Sequence, residues 1–228
     1  MRITEAHLRR MIRGILQENR HQTLSPEFRR WFGRSMMVDP AGNPIRLYHG
    51  TSGSFNVFNL SEFGKYGPGI YLTASRENAA GFASGMRGPD MVGPSVMPLY
   101  VRLVNPLILV ETNKGPLINT ISGELTPGHE ALQEKISTLS AAVEYMGGKG
   151  SEFSREVRSL GHDGIIVDFS GFLSDPAAAA EAAASGITRE EMMMAEVIVF
   201  DPRQVKSALG NPGTYDPDDP SIVSESGR

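Results

Sequence analysis

Three short apolar runs each carry one side chain able to do chemistry: Leu47-Tyr48-His49-Gly50-Thr51, Gly69-Ile70-Tyr71-Leu72-Thr73 and Ala195-Glu196-Val197-Ile198-Val199-Phe200-Asp201. Their apolar, β-branched and aromatic content reads each as a strand. Together they supply an imidazole, a phenol and a carboxylate. Taken singly, each has an ordinary structural reading: a His bonded within its strand, a half-buried Tyr, a Glu on a solvent-facing strand edge. The order and spacing of the three argue for more than that. Other chemistries lose support in the same sequence. It has no cysteine, which removes disulfides, thiolate catalysis and Cys-based metal sites, and its five His are scattered without metal-ligand spacing. No metal is expected. Gly67-Pro68-Gly69 lacks the strand-to-helix setting of a phosphate-binding loop, and Asp163 and Asp168 form no convincing glycosidase pair.

At 228 residues, 40% hydrophobic and 21% charged, the chain suits one domain with extensions. The expected division is a basic amphipathic helix and linker over 1–24, a domain over 25–209 and a poorly ordered tail over 210–228. Leu8, Met11, Ile12, Ile15 and Leu16 recur at helical spacing in residues 3–17. Residues 1–35 hold eight Arg against Glu5, Glu18 and Glu27, so this arm is +5 and the remainder −9 of the net −4. Such an arm suits assembly or packaging, while the acidic body argues against a dedicated DNA-binding domain.

Pro26, preceded by Ser25, opens a second helix through Phe32. Residues 52–68 read as a loop held down by Phe55, Phe58 and Phe63. Ser75 opens a helix reaching Gly85, and residues 97–110 read as one or two strands interrupted at Asn105-Pro106. Helical patterns at 130–146 and 152–160 precede a strand at 164–169. The nearly all-Ala run 176–185 is an exposed helix or a mobile loop. The tail is dense in Pro, Asp, Gly and Ser without periodicity. No apolar run approaches the roughly 18 residues that span a bilayer, and no secretory signal is visible, so a soluble cytoplasmic protein without membrane association is expected.

The three runs resemble the motifs of the H-Y-E class of ADP-ribosyltransferases, including the poly(ADP-ribose) polymerases. The resemblance implies an α+β fold, a split antiparallel β-sandwich with flanking helices and an NAD cleft. It implies NAD as the substrate, with His49, Tyr71 and Glu196 catalytic and His49, Gly50, Thr51, Tyr71 and Phe82 binding the dinucleotide. Gly50 would grip the nicotinamide amide through its backbone, which a residue without a side chain permits. His49 would contact a ribose hydroxyl and Thr51 supplies the adjacent hydroxyl. Tyr71 and Phe82, eleven residues on, would sandwich the cationic ring. Glu196 would stabilise the cation-like sugar and orient the nucleophile.

Longer stretches are similar to the ADP-ribosyltransferase domain of phage and mobile-element polyvalent proteins. These are Pro26-Glu27-Phe28-Arg29-Arg30-Trp31-Phe32-Gly33, Val38-Asp39-Pro40-Ala41-Gly42-Asn43-Pro44, Gly161-His162-Asp163-Gly164-Ile165-Ile166 and Phe200-Asp201-Pro202-Arg203-Gln204-Val205-Lys206-Ser207-Ala208. This implies a mono-ADP-ribosyltransferase that modifies a host protein or nucleic acid, working in the host cytosol and open to carriage in a virion. Relatives that modify arginine carry a Glu two positions before the catalytic one. Here that position is Met194, which disfavours arginine. The alternatives are an NAD glycohydrolase on the same residues and a non-catalytic virion or binding module.

Overall fold

The computed structural model describes residues 22–53, 55–61, 64–85, 94–141, 149–209, 211 and 215–223. The basic helix expected over 3–17 lies outside them, as does Phe63. Among the described residues, no helix is long and apolar enough to cross a membrane.

Among the described residues, eight strands form two sheets. The first has three strands in the order β1 (Leu47–Thr51), β3 (Ser95–Val101), β8 (Val205–Ser207). The second has five, in the order β2 (Ile70–Leu72), β7 (Glu196–Val199), β6 (Gly164–Asp168), β4 (Leu107–Val110), β5 (Leu117–Asn119). Every ladder is antiparallel except β4 with β6. That parallel pair requires a long crossover, which carries β5 and the helices α3 (Pro127–Ala141) and α4 (Lys149–Ser159).

Alternation along the strands divides the apolar residues between two cores. Ile70, Leu72, Ile166, Val197 and Val199 face Leu47, Leu99, Val101 and Val205 of the smaller sheet, and this core fills the space between the two sheets. Ile165, Val167, Ile198, Leu107 and Leu109 point to the opposite face and pack Leu132 and Ile136 of α3 and Phe153 and Val157 of α4. Each of these buried side chains contributes about 1.5–3 kcal/mol. A one-residue slip in register would turn both sets the wrong way.

Helix α1 (Pro26–Phe32) starts as expected, with Pro26 in its first turn and the Ser25 hydroxyl accepting the Phe28 N–H at 3.0 Å. It buries Phe28, Trp31 and Phe32, and the Trp31 indole donates to the Arg203 carbonyl at 3.0 Å. The run 97–110 becomes the two strands β3 and β4. At the break between them, the Asp163 carboxylate accepts the N–H groups of Val104 and Asn105, which gives this Asp a structural task.

The Ala-rich run is the helix α5 (Pro176–Ala184), capped by Asp175 and without a buried residue. A short helix α6 (Arg189–Met193) follows, held by a Thr188–Glu191 capping box. The segment read as a loose tail from 210 instead sends Tyr215 and Ile222 into the inter-sheet core. Its backbone is tied down as well, since the Ser207 N–H donates to Ile222 and the Ile222 N–H to Asn56. Polar composition hid these two anchors, with no periodicity to mark them.

Candidate active site

The site forms where the two sheets come apart. Strand β1 touches β2 through one bridge, with the Tyr48 N–H donating to Thr73 at 2.8 Å and the Thr73 N–H donating back at 3.0 Å. Continued one step, this ladder would pair Gly50 with Tyr71. It does not continue. The Tyr71 carbonyl is taken instead by His49 Nδ1 at 2.8 Å. Because N–H and C=O of alternate residues point to the same side of a strand, the backbone polar groups of Gly50 face the same seam as those of Tyr48. Tyr48 lies opposite Pro98 in β3, which has no N–H to offer and needs none at a non-hydrogen-bonded position.

Around this seam opens a cleft of about 690 Å³, within the range of small-molecule sites. His49, Gly50, Tyr71, Phe82 and Glu196 all line it, joined by Phe55, Phe58 and Lys65. Five of the six residues singled out from sequence thus line one cleft. Thr51 does not line it: the residue is buried and its hydroxyl accepts the Gly53 N–H at 3.1 Å. Phe82 is 60% exposed on helix α2 (Arg76–Gly85), so it borders the opening rather than packing the core.

Each side chain has a defined state. Burial lowers the His49 pKa below the ordinary His value, opposed by the bond to Tyr71. A carbonyl can only accept, so the neutral ring carries its proton on Nδ1 and leaves the Nε2 lone pair as an acceptor. Phe58 packs edge-on to the ring at 5.0 Å and holds its plane. The Tyr71 hydroxyl donates to the Gly67 carbonyl at 2.7 Å and accepts the Tyr66 N–H at 3.3 Å. Its ring leans on Gly64, where a Cβ would stand 2.1 Å from the hydroxyl oxygen. Burial pushes the Tyr71 pKa up, so it acts as a neutral aromatic wall.

Glu196 opens β7, beside Val167 of β6. Burial raises its pKa, the Lys65 ammonium lowers it and the Glu111 carboxylate raises it. A carboxylate poorly solvated in its resting state gains most from positive charge appearing nearby. Gly50 has a second reason to be glycine. A Cβ there would sit 1.9 Å from the Ala79 carbonyl oxygen, so its absence lets α2 press against β1.

Sequence reading missed Lys65, Tyr66 and Glu111. Glu111 follows the apolar run of β4 directly, a position with weak signal, and nothing local marks Lys65 or Tyr66.

A seam between split sheets, walled by two aromatic rings and bearing one imidazole and one half-buried carboxylate, is the arrangement that the resemblance to ADP-ribosyltransferases implies. The family model for the ADP-ribosyltransferase in polyvalent proteins matches residues 39–215, and the chain belongs to that family. Comparison with curated proteins and with solved structures finds no match.

Proposed function

We propose that this chain transfers one ADP-ribose unit from NAD to a host macromolecule, as a phage- or mobile-element-encoded effector. ADP-ribosyltransferase domains in general use NAD as substrate. The observation that carries the reading is the convergence of His49, Tyr71 and Glu196, from three separate strands, on one cleft. The seam-facing N–H and C=O of Gly50 suit the donor and acceptor of the nicotinamide amide. Tyr71 and Phe82 supply two aromatic faces for the ring, whose cation is bound more tightly than the neutral leaving group. The bare Nε2 of His49 accepts from a ribose hydroxyl and fixes the sugar. As the glycosidic bond to nicotinamide lengthens, positive charge spreads over the ribose, and Glu196 stabilises it and orients the attacking group.

Incubation with NAD labelled in its adenylate half, with and without host lysate, tests the proposal. Labelled macromolecule is expected, together with free nicotinamide. Glu196→Gln removes the charge and keeps the shape, and is expected to lower the rate at least about a hundredfold with an unchanged melting temperature. Free ADP-ribose without labelled macromolecule would replace transfer by hydrolysis. No NAD cleavage under any condition would leave a non-catalytic module.

A further inference from the structure

Resting on that reading, we propose that Glu111 is a positioning residue of the site: its carboxylate anchors the Lys65 and Tyr66 side chains so that a fixed cation stands in the cleft wall with Glu196.

The placement follows from strand register. Glu196 pairs with Val167, which pairs with Leu109, so these three share one face of the larger sheet. Glu111, two residues past Leu109, returns to that face, and its N–H donates to the Asp168 carbonyl at 2.7 Å to prolong the ladder. Tyr71 joins the same face, because it pairs with Ile198, two residues past Glu196. Tyr71, Glu196 and Glu111 therefore all project from one surface, with β6 between the two carboxylates.

The segment before β2 crosses this surface as a strap. Its backbone is fixed by close approach: Gly64 lies under the Tyr71 ring, and Gly67, at φ 89°, lies against Gly150 at the start of α4, where a Cβ would meet backbone at 2.2 Å. The side chains between these points end on Glu111. Its Oε1 accepts from the Tyr66 hydroxyl at 3.3 Å and faces Lys65 Nζ at 3.5 Å. Glu111 is the less exposed member of the pair, its side chain 13% exposed against 39% for Lys65. Tyr66 is buried and bonds Tyr71 through its N–H, so one residue connects the aromatic wall to Glu111. Lys65, unlike Glu111, lines the cleft, where it is the sole Lys or Arg among the described lining residues.

The groups facing Glu196 are then Lys65 and Tyr66 from the strap, Tyr71 from β2 and Glu111 from the end of β4. Both tyrosines are held neutral by burial, so Lys65 and Glu111 set the local charge in opposite directions. With Glu111 in place, Lys65 is shared. Without it, the ammonium is free to answer Glu196 alone.

Two variants separate this from a structural role. Glu196 is titrated in NAD-free protein through its side-chain carboxyl carbon by NMR, assigned by its loss in Glu196→Gln. Lys65→Met is expected to move the titration up by about half a unit or more, and Glu111→Gln to move it down by a similar amount. The acid limb of NAD cleavage should move with each, while circular dichroism and melting stay as in the wild type. Titration unmoved in either variant, or moved in the same direction in both, overturns the proposal. Because the titration needs no NAD, a wild type that cleaves none would remove the reading of function and leave this test standing.

Discussion

At the scale of single residues, the site depends on what is missing as much as on what is present. Gly50 has no Cβ where the Ala79 carbonyl of α2 needs the room, and its own N–H and C=O meet the seam because His49 has taken the Tyr71 carbonyl. Gly50→Ala should therefore act on stability as well as on ligand. Forcing a methyl against backbone costs roughly 1–3 kcal/mol, and here the obstacle is a helix rather than a flexible side chain. The expected outcome is a lower urea midpoint with an unchanged slope, plus a raised KM for NAD. His49, Tyr71 and Glu196 were legible because the order and spacing of the three apolar runs that carry them match one known set of motifs. Thr51 belonged to the same run, but its hydroxyl satisfies a local turn, a choice that depends on where the chain goes next.

At the scale of elements, a pair of buried imidazoles joins the start of α3 to the loop before β6. The Thr126 N–H donates to His129 Nδ1, so His129 carries its proton on Nε2. His162 donates from Nδ1 to the Asn105 carbonyl, leaving its own Nε2 bare to accept from His129 at 2.9 Å. Protonating His162 would set two N–H groups head to head, and burial already lowers its pKa, with Asn105 and Asp163 opposing and His129 adding to the shift. Below about pH 6.5 the unfolded chain binds a proton there that the folded chain refuses. Stability is thus full above that pH and is lost as pH falls, with a slope of at most about 1.4 kcal/mol per unit from this group. His162→Gln keeps an acceptor without a titrating ring. Urea unfolding between pH 7 and pH 5 should show a shallower loss in the variant. The helices and strands themselves were largely visible in the periodicity. The partnership of His129 with His162 was not, because it joins residues of two different elements.

At the scale of the whole molecule, the end of the described chain belongs to the core. Lys206 is fully buried in β8, and its ammonium donates to the carbonyls of Asp219 and Ser221 at 2.6 and 2.8 Å. Tyr215 packs edge-on to Phe28 of α1 at 5.0 Å, while Ile222 closes the same core. Truncation after Leu209 would strip the buried side chains of Asn211, Tyr215 and Ile222 and leave a buried ammonium without the Asp219 and Ser221 acceptors. Each loss of that kind costs a few kcal/mol, comparable together to the stability of a domain this size. The truncated chain is expected to be largely unfolded by circular dichroism at 37 °C.

The sequence by itself determined the two strand faces, the helix starts and the identity of the His, Tyr and Glu, since these follow from alternation, capping and residue type. It also carried the family, through stretches whose residue types and order are specific. Only the tertiary structure decided which polar groups meet: the seam that frees the Gly50 backbone, the Glu111 anchor for Lys65 and the tail folded into the core. Those outcomes depend on where distant segments stop pairing, and no local pattern encodes the end of a partner strand.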